Sequence, residues 1–278
     1  MFKINKNKII MLGKNGFIAS SIISELKLNK FRLKSFSKKE LNLLINKDFK
    51  KLENIIKKDD ILVFCSAVAP VKNLKMFYQN IKMSENFLKT KNLKKLAAIC
   101  YLSSDAIFSD SKQKLTESSI KEPDNLHGLM HLTREKLFKL SHKNVFCIRP
   151  TLVYGKNDPH NGYGPNKFLR DAKKRGEIKI FGKGEEIRDH INVKDVAKLL
   201  VMIIKKKKFE DFNFVTSKEE SFSNIANEIK KKFKDIKITR IKRTVPMPHN
   251  GYRVFNNKKL KKLNVKISEI KEYIKNYE

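Results

Sequence analysis

No stretch of this sequence approaches the ~20 consecutive apolar residues that a membrane helix needs. The first apolar run, Ile9 to Leu12, is too short for a secretory leader, and no small-residue cleavage site follows it. Neither a membrane partner nor export is therefore expected. Cysteine is scarce. Cys65, Cys100 and Cys147 each lie in an apolar, strand-like run and share no metal-ligand spacing. That pattern predicts reduced core thiols in a cytoplasmic protein, with no metal site. Acidic residues are also few, 29 against 62 lysines and arginines, for a net charge of +33. The lysines are scattered, and Lys205 to Lys208 is the one run of four. A nucleic-acid protein concentrates its charge in a patch with interleaved aromatics. No nucleic-acid partner is expected here, and the charge reads as a solvated surface that draws in anionic substrates. Internal repeats and low-complexity segments are absent.

What the sequence does hold begins at its N-terminal end. Lys8-Ile-Ile-Met-Leu-Gly13 is a short apolar run ending in a glycine, and an amphipathic segment, Phe17 to Leu26, follows at once. Strand, tight turn and helix in that order open a dinucleotide-binding βαβ unit. Gly13 lets the backbone reverse. Gly16 removes a Cβ where a pyrophosphate would approach the helix N-terminus, whose free N–H groups and dipole favour an anion. Gly13, Lys14, Asn15, Gly16, Phe17 and Ile18 are the expected cofactor turn, and Ala19 is the small residue that lets helix pack on strand.

Strands and helices then alternate. Strands are predicted at Phe31 to Phe36, Asp60 to Val68, Leu96 to Ser103 and Val145 to Arg149, with helices near 47–57, 71–89 and 126–141. The Asp60 to Val68 run is apolar rather than alternating, as in a sheet buried on both faces, and the repeated β-α-β order predicts a doubly wound parallel sheet of Rossmann type. After Pro150 the pattern loosens. Thr151 to Pro165 reads as a long loop, and short mixed elements follow. The expected division is a dinucleotide-binding domain of residues 1–155 with parts of 187–216. Residues 156–186 and 217–278 would form a smaller α/β substrate lobe, with the cleft between them as the site.

Four ordered segments resemble the extended short-chain dehydrogenase/reductases, the NAD-dependent epimerase/dehydratase type that modifies nucleotide sugars. They are Gly13-x-x-Gly16-x-x-Ala19; Tyr101-Leu-Ser-Ser-Asp-Ala-Ile-Phe108; Ile148-Arg-Pro-Thr-Leu-Val-Tyr-Gly155; and Arg188-Asp-His-Ile-Asn-Val-Lys-Asp-Val196. The second is similar to the form found in dTDP-4-dehydrorhamnose reductases, whereas the fourth is epimerase-like. The resemblance implies an NAD or NADP enzyme acting on a nucleotide-linked sugar as epimerase, reductase or dehydratase. It also implies a homodimer through two helices. Ser104 would bond the reacting oxygen, with Asp105 beside it as a candidate acid. Ser66, Ala67 and Val68 would pass the nicotinamide ribose, and Asn80 stands where the family keeps a helix-bending Asn. Arg188 would contact a substrate phosphate, with Arg253 also on the substrate side. Asn161, Tyr163 and Asn166, in the loop from His160, would offer hydrogen bonds to a sugar.

One departure changes the chemistry. Where the family places Tyr-x-x-x-Lys, this sequence reads His127-Gly-Leu-Met-His131, with Gly128 and Glu135 holding the register. The two histidines share a helix face, being one turn apart. Tyrosine, with an ordinary pKa of ~10, needs a cation to become a base, whereas histidine at ~6.5 is already poised for proton transfer. His127 would move the proton, and His131 would bond the ribose as the Lys does. Two alternatives stand beside this one. The pair could be structural in a dinucleotide-binding sensor or assembly protein without turnover, or it could bind a metal with His160 as third ligand. The end of the second strand, Arg32 to Lys39, offers basic groups and hydroxyls, Ser37 among them, with no acid before Glu40. Such groups suit a 2′-phosphate and favour NADP.

Overall fold

The computed structural model describes residues 8–45, 47–159 and 161–278, and His160 lies outside them. The chain divides into two compact units. One comprises the described residues up to Ser109, Glu117–Arg149 and Val196–Asn213; the other comprises Asp110–Thr116, Pro150–Asp195 and Phe214–Glu278.

The first unit carries β1 (Lys8–Leu12), α1 (Phe17–Leu28), β2 (Arg32–Phe36), α2 (Lys47–Ile55), β3 (Ile61–Phe64), α3 (Leu74–Leu88), β4 (Ala98–Leu102), α4 (Leu126–Ser141) and β5 (Val145–Pro150). Its sheet has six strands in the order β2-β1-β3-β4-β5-β10, where β10 is Phe212–Phe214, and the pairings from β2 to β5 are parallel. Ile9 to Leu12 and Ile61 to Phe64 are all buried, as strands covered on both faces require. Strand β2 lies at the edge, and its residues alternate towards solvent. The doubly wound Rossmann-type parallel sheet expected from the sequence is the observed fold. The chain leaves β1 for β2 on one side and returns to β3 on the other, so the order reverses at β1 and β3. Ligands of open α/β sheets bind outside the carboxyl ends of the strands at such a reversal. Here those ends are Gly13 and the segment Cys65 to Val68.

Phe64, Phe87, Phe138 and Tyr101 form an edge-to-face aromatic cluster with ring centroids 5.1–6.2 Å apart. At the far side of the sheet the buried Arg149 makes two 2.7 Å bonds to Glu135 and one of 2.5 Å to Asp211. That pairing answers the desolvation of all three charges. Cys147 lies in the same cluster, but Arg149 already holds both carboxylates and burial pushes the thiol well up, so the group is structural and not a metal site.

The second unit carries β6 (Leu152–Tyr154), α5 (Pro165–Arg175), β7 (Glu177–Phe181), β8 (Ile187–Arg188), β9 (His190–Asn192), β11 (Glu220–Ser221), α7 (Phe222–Lys232), β12 (Lys237–Ile241), β13 (Tyr252–Arg253), α8 (Lys258–Lys261) and α9 (Ile270–Lys275). Helix α6 (Val193–Lys206) begins in this unit and continues into the first. Its core gathers Phe168, Leu169, Ile178, Ile180, Phe222, Ile225 and Ile229. The predicted loop after Pro150 contains β6, which pairs in parallel with β9. Strands of two or three residues are too short for an alternating pattern to declare them. Among the described residues, no helix is long and apolar enough to cross a membrane.

Candidate active site

Gly13 adopts a φ of +97°, and a Cβ there would come within 3.0 Å of the Ser66 backbone nitrogen and hydroxyl. Glycine is therefore demanded twice, by dihedral and by the close approach of the segment after β3. The Gly13 and Lys14 amides both donate to the Phe36 carbonyl at 2.8 and 3.0 Å, tying the turn to the end of β2. Helix α1 starts at Gly16 without a side-chain cap. Lys14, Asn15, Gly16, Phe17 and Ile18 all retain exposure around that start. An uncapped helix N-terminus behind a glycine turn suits an anion.

Beside the turn Ser37, expected at the cofactor, is engaged by a neighbouring carboxylate. Its hydroxyl, 7 % exposed, donates to the Glu40 carboxylate at 2.7 Å, and its amide donates to the same oxygen at 2.8 Å. The other Glu40 oxygen pairs with Lys14 Nζ at 2.7 Å. The Lys14 ammonium, with Ser37, holds the Glu40 carboxyl at about 2, so it is ionised. An acid thus stands at the end of β2 after all, folded back from four residues beyond Phe36.

The segment Ser66 to Val68 is braced from beneath. Asn80, fully buried, accepts from the Val68 amide at 3.0 Å and donates to the carbonyls of Val68 and Met76. Asn80, expected at the cofactor, shapes the loop with its amide. Arg134, also fully buried, donates to the Ser66 carbonyl at 3.0 Å.

Helix α4 spans the residues predicted for it, capped by Asn125, which accepts from the Gly128 amide at 2.9 Å. Gly128 lets the helix lie on the Ser104 turn, because a Cβ there would sit 2.1 Å from the Ala106 carbonyl oxygen. Ser104 accepts from the Ala106 amide at 3.2 Å and donates to Asp105 at 3.3 Å. His127 is half-buried. Burial lowers its pKa, and the Asp105 charge opposes that shift. The His127 Nδ1 accepts from the Val71 amide at 3.4 Å. His131 lies deeper, 5 % exposed, with its ring 4.7 Å from that of His127. Its Nδ1 is 2.7 Å from the Tyr101 hydroxyl. The fold thus gathers Ser104, Asp105, His127 and His131 from two separated segments.

In the second unit the predicted substrate residues fare differently. Arg188 is buried and donates to Glu186 at 3.0 Å, and Arg243 reaches the other Glu186 oxygen at 3.2 Å. Arg253, 2 % exposed, pairs with Asp110 at 3.2 Å. Asn166 is buried with both amide ends used, accepting from Gly155 and donating to Asp158. The Tyr163 ring packs on Phe168, Phe181 and Phe222 while its oxygen accepts from the Phe181 amide. Asn161 accepts from Arg170. These three, expected to bond a sugar, make contacts within the loop and with its neighbours. His160, the third ligand of the metal alternative, lies outside the described residues.

The sequence pattern of the NAD dependent epimerase/dehydratase family matches residues 9–214. The chain belongs to this family. A dTDP-4-dehydro-6-deoxy-D-allose reductase of Streptomyces bikiniensis is 28% identical over 121 residues, which are 40% of this chain and 36% of that protein. The chain thus matches little more than a third of that relative's length. A UDP-N-acetylglucosamine 4-epimerase from Methanobrevibacter ruminantium M1 has the same fold, with TM-score 0.81, 20% identity, and coverage of 98% of this chain and 96% of that one. A dTDP-4-dehydrorhamnose reductase from Bacillus anthracis, solved with NADP, gives TM-score 0.81, 20% identity and 98% coverage of both chains.

As in the family generally, the cofactor class is NAD(P). The residues here fit such a group: the Gly13 turn approaches Ser66 closely, the start of α1 is uncapped, and an ionised acid stands at the end of β2. Four side chains near the family's site positions escaped the sequence reading. Glu40 and Arg243 carried no motif. The sequence assigns Tyr101 and Arg134 no role, and their burial is what reveals them.

Proposed function

We propose that this family member is an NAD(P)-dependent reductase that adds hydrogen across a keto group of a nucleotide-linked sugar. The observation that carries the reading is the joining of Ser104, Asp105 and His127 by Gly128 at one end of α4. The dinucleotide would supply the hydride. Gly13, Gly16 and the first amides of α1 would hold its pyrophosphate, and Ser66 to Val68 would line its ribose. Glu40 would accept from the adenosine ribose diol, which favours NADH over NADPH despite the basic residues nearby.

The Ser104 hydroxyl and the His127 Nε2 are the groups offered to the reacting oxygen. The Val71 amide can only donate, so His127 Nδ1 accepts and the neutral ring carries its proton on Nε2. That tautomer donates to a carbonyl oxygen, as reduction needs; it cannot take a proton from a hydroxyl, as oxidation needs. Full proton delivery needs the imidazolium: Nδ1 first takes a proton from solvent as the 3.4 Å Val71 contact opens, Nε2 then gives its proton to the substrate oxygen, and the ring returns to neutral with one proton, on Nδ1. Arg188, aided by Arg243, would hold a substrate phosphate, sharing Glu186 as counter-ion. The three unpaired cysteines support work in the cytoplasm.

The test is turnover of NADH and NADPH with a panel of keto-sugar nucleotides, beside His127→Ala and Ser104→Ala. A fall of ~100-fold or more in kcat for each variant, with cofactor binding kept, is expected. Tight cofactor binding with no turnover across the panel would instead support a dinucleotide-binding sensor or assembly protein.

A further inference from the structure

Two arginines of the first unit are fully buried, and they are treated in opposite ways. Arg149 is matched by two carboxylates. Arg134 has none: its hydrogen bonds go to the Ser84 hydroxyl at 2.6 Å, the Ser66 carbonyl at 3.0 Å and the Asn80 amide oxygen at 3.4 Å, and its Nη2 is buried without a hydrogen-bond partner. The guanidinium lies over the rings of Phe64 and Tyr101, 4.8 and 5.4 Å from their centroids. Leaving a charge in the core without a counter-ion is costly. This one stands a turn beyond His131, on the same helix, under the segment assigned to the cofactor.

Tyr101 links that charge to the histidines. Its hydroxyl is 2.7 Å from His131 Nδ1. Two arrangements fit that distance, O–H donating to Nδ1 or Nδ1–H donating to the oxygen. A cation over the phenol ring withdraws electron density from it, which makes the hydroxyl a better donor and a poorer acceptor. The other candidate acceptor for that proton is the Met130 sulfur at 4.0 Å, a weak one.

We propose that Tyr101 and Arg134 are positioning residues for the histidine pair, with Tyr101 donating to Nδ1 of His131 so that its one proton sits on Nε2, and Arg134 excluding a second. His131 then offers a neutral N–H at the place where the family presents an ammonium, while the fixed positive charge is carried one turn further along by Arg134. The groups acting on the His131 ring agree with this. Tyr101 faces it from β4, and His127 and Arg134 face it from its own helix. Asn80 and Ser84 of α3, which bond Arg134, carry no charge. Burial first, then the His127 and Arg134 charges, hold the His131 imidazole well below its ordinary range. The inference rests on the proposed reductase reading for its use, but its state is readable without substrate.

The experiment is nitrogen-15 NMR of histidine-labelled protein between about pH 5 and about pH 8, the window in which an ordinary imidazole titrates. In the wild type, His131 should stay neutral as the Nε2–H tautomer throughout. Tyr101→Phe should replace that single tautomer by a mixture. Arg134→Met should move the acid onset of His131 protonation to higher pH than in the wild type, and Arg134→Lys, which keeps the charge, should not. A His131 that carries its proton on Nδ1, or titrates normally in the wild type, overturns the proposal even if the variants do not fold. So does a Tyr101→Phe protein, folded by its remaining spectrum, whose His131 signals are unchanged. Loss of turnover in His127→Ala with these signals intact separates the fate of the reductase reading from that of the positioning pair.

Discussion

Gly128→Ala sets two known effects against each other at one atom. In a helix interior this substitution ordinarily stabilises by ~1 kcal/mol, because alanine loses less backbone freedom on folding. At position 128 the added Cβ would lie 2.1 Å from the Ala106 carbonyl oxygen, 2.6 Å from Pro123 Cβ and 2.9 Å from the Ala106 carbonyl carbon. Real Cβ contacts essentially never fall below 3.0 Å. Two of the three obstacles are backbone, so no side chain can swing aside, and α4 must lift from the Ser104 turn by nearly an ångström. Overpacking of this kind costs ~1–3 kcal/mol and occasionally more. The expected balance is a net loss of up to about 2 kcal/mol, or a few degrees in melting temperature for a chain of this size. The catalytic effect should be larger. Displacing one reacting group by ~1 Å costs on the order of 100-fold in rate, and the lift separates His127 from Ser104. Thermal melting and kcat of the variant, measured together, check both numbers. A variant that melts at or above the wild type, or that keeps its full rate, would refute the claim that contact between α4 and the Ser104 turn assembles the site.

Two further outcomes follow from charges whose burial or partners are unusual. His190 is buried with neither ring nitrogen hydrogen-bonded, and burial lowers it from 6.5 to about 3. The folded protein refuses a proton that the unfolded chain takes, so stability is lost as pH falls below 6.5, by at most about 2 kcal/mol at pH ~5. Asp189 next to it works in the opposite sense, since burial raises its carboxyl from 3.8 to about 6, and its contribution is lost as pH rises through that interval. His190→Phe keeps a ring against Phe222 and removes the first effect alone. Its melting temperature should drop less than the wild type's between about pH 7 and about pH 5, and an equal drop would count against the assignment. For cofactor choice, Glu40→Ala removes the acid that holds Ser37 and Lys14. The ratio of kcat/KM for NADPH over NADH should rise by about tenfold or more, the scale of one lost charge-assisted hydrogen bond to the ribose. An unchanged ratio would place Glu40 outside the ribose site.

The sequence by itself determined much of this protein. Continuous apolar runs fixed β1, β3 and β4 as buried parallel strands, and the glycine-ended first run placed the tight turn into α1, because both signals are local and each has one physical cause. Helix α4 was legible to its ends as an amphipathic run from Leu126 to Ser141, and the structure adds the Asn125 cap. The motif register around Gly128 and Glu135 located the two histidines. Other features needed the folded chain. The distant partners Tyr101 and His131 meet only because β4 and α4 pack together. Glu40 looked too late to serve the end of β2 until the turn after Phe36 folded it back onto Ser37 and Lys14. Asn166 and Tyr163 resembled ligand residues by type, and packing spent their polar atoms inside the fold. Arg134 and Arg149 are the same residue type at similar depth, yet one is neutralised and the other is not. Composition and spacing report what a side chain can do; which groups surround it, and so which proton or charge it holds, is decided by tertiary contacts between segments far apart in the chain.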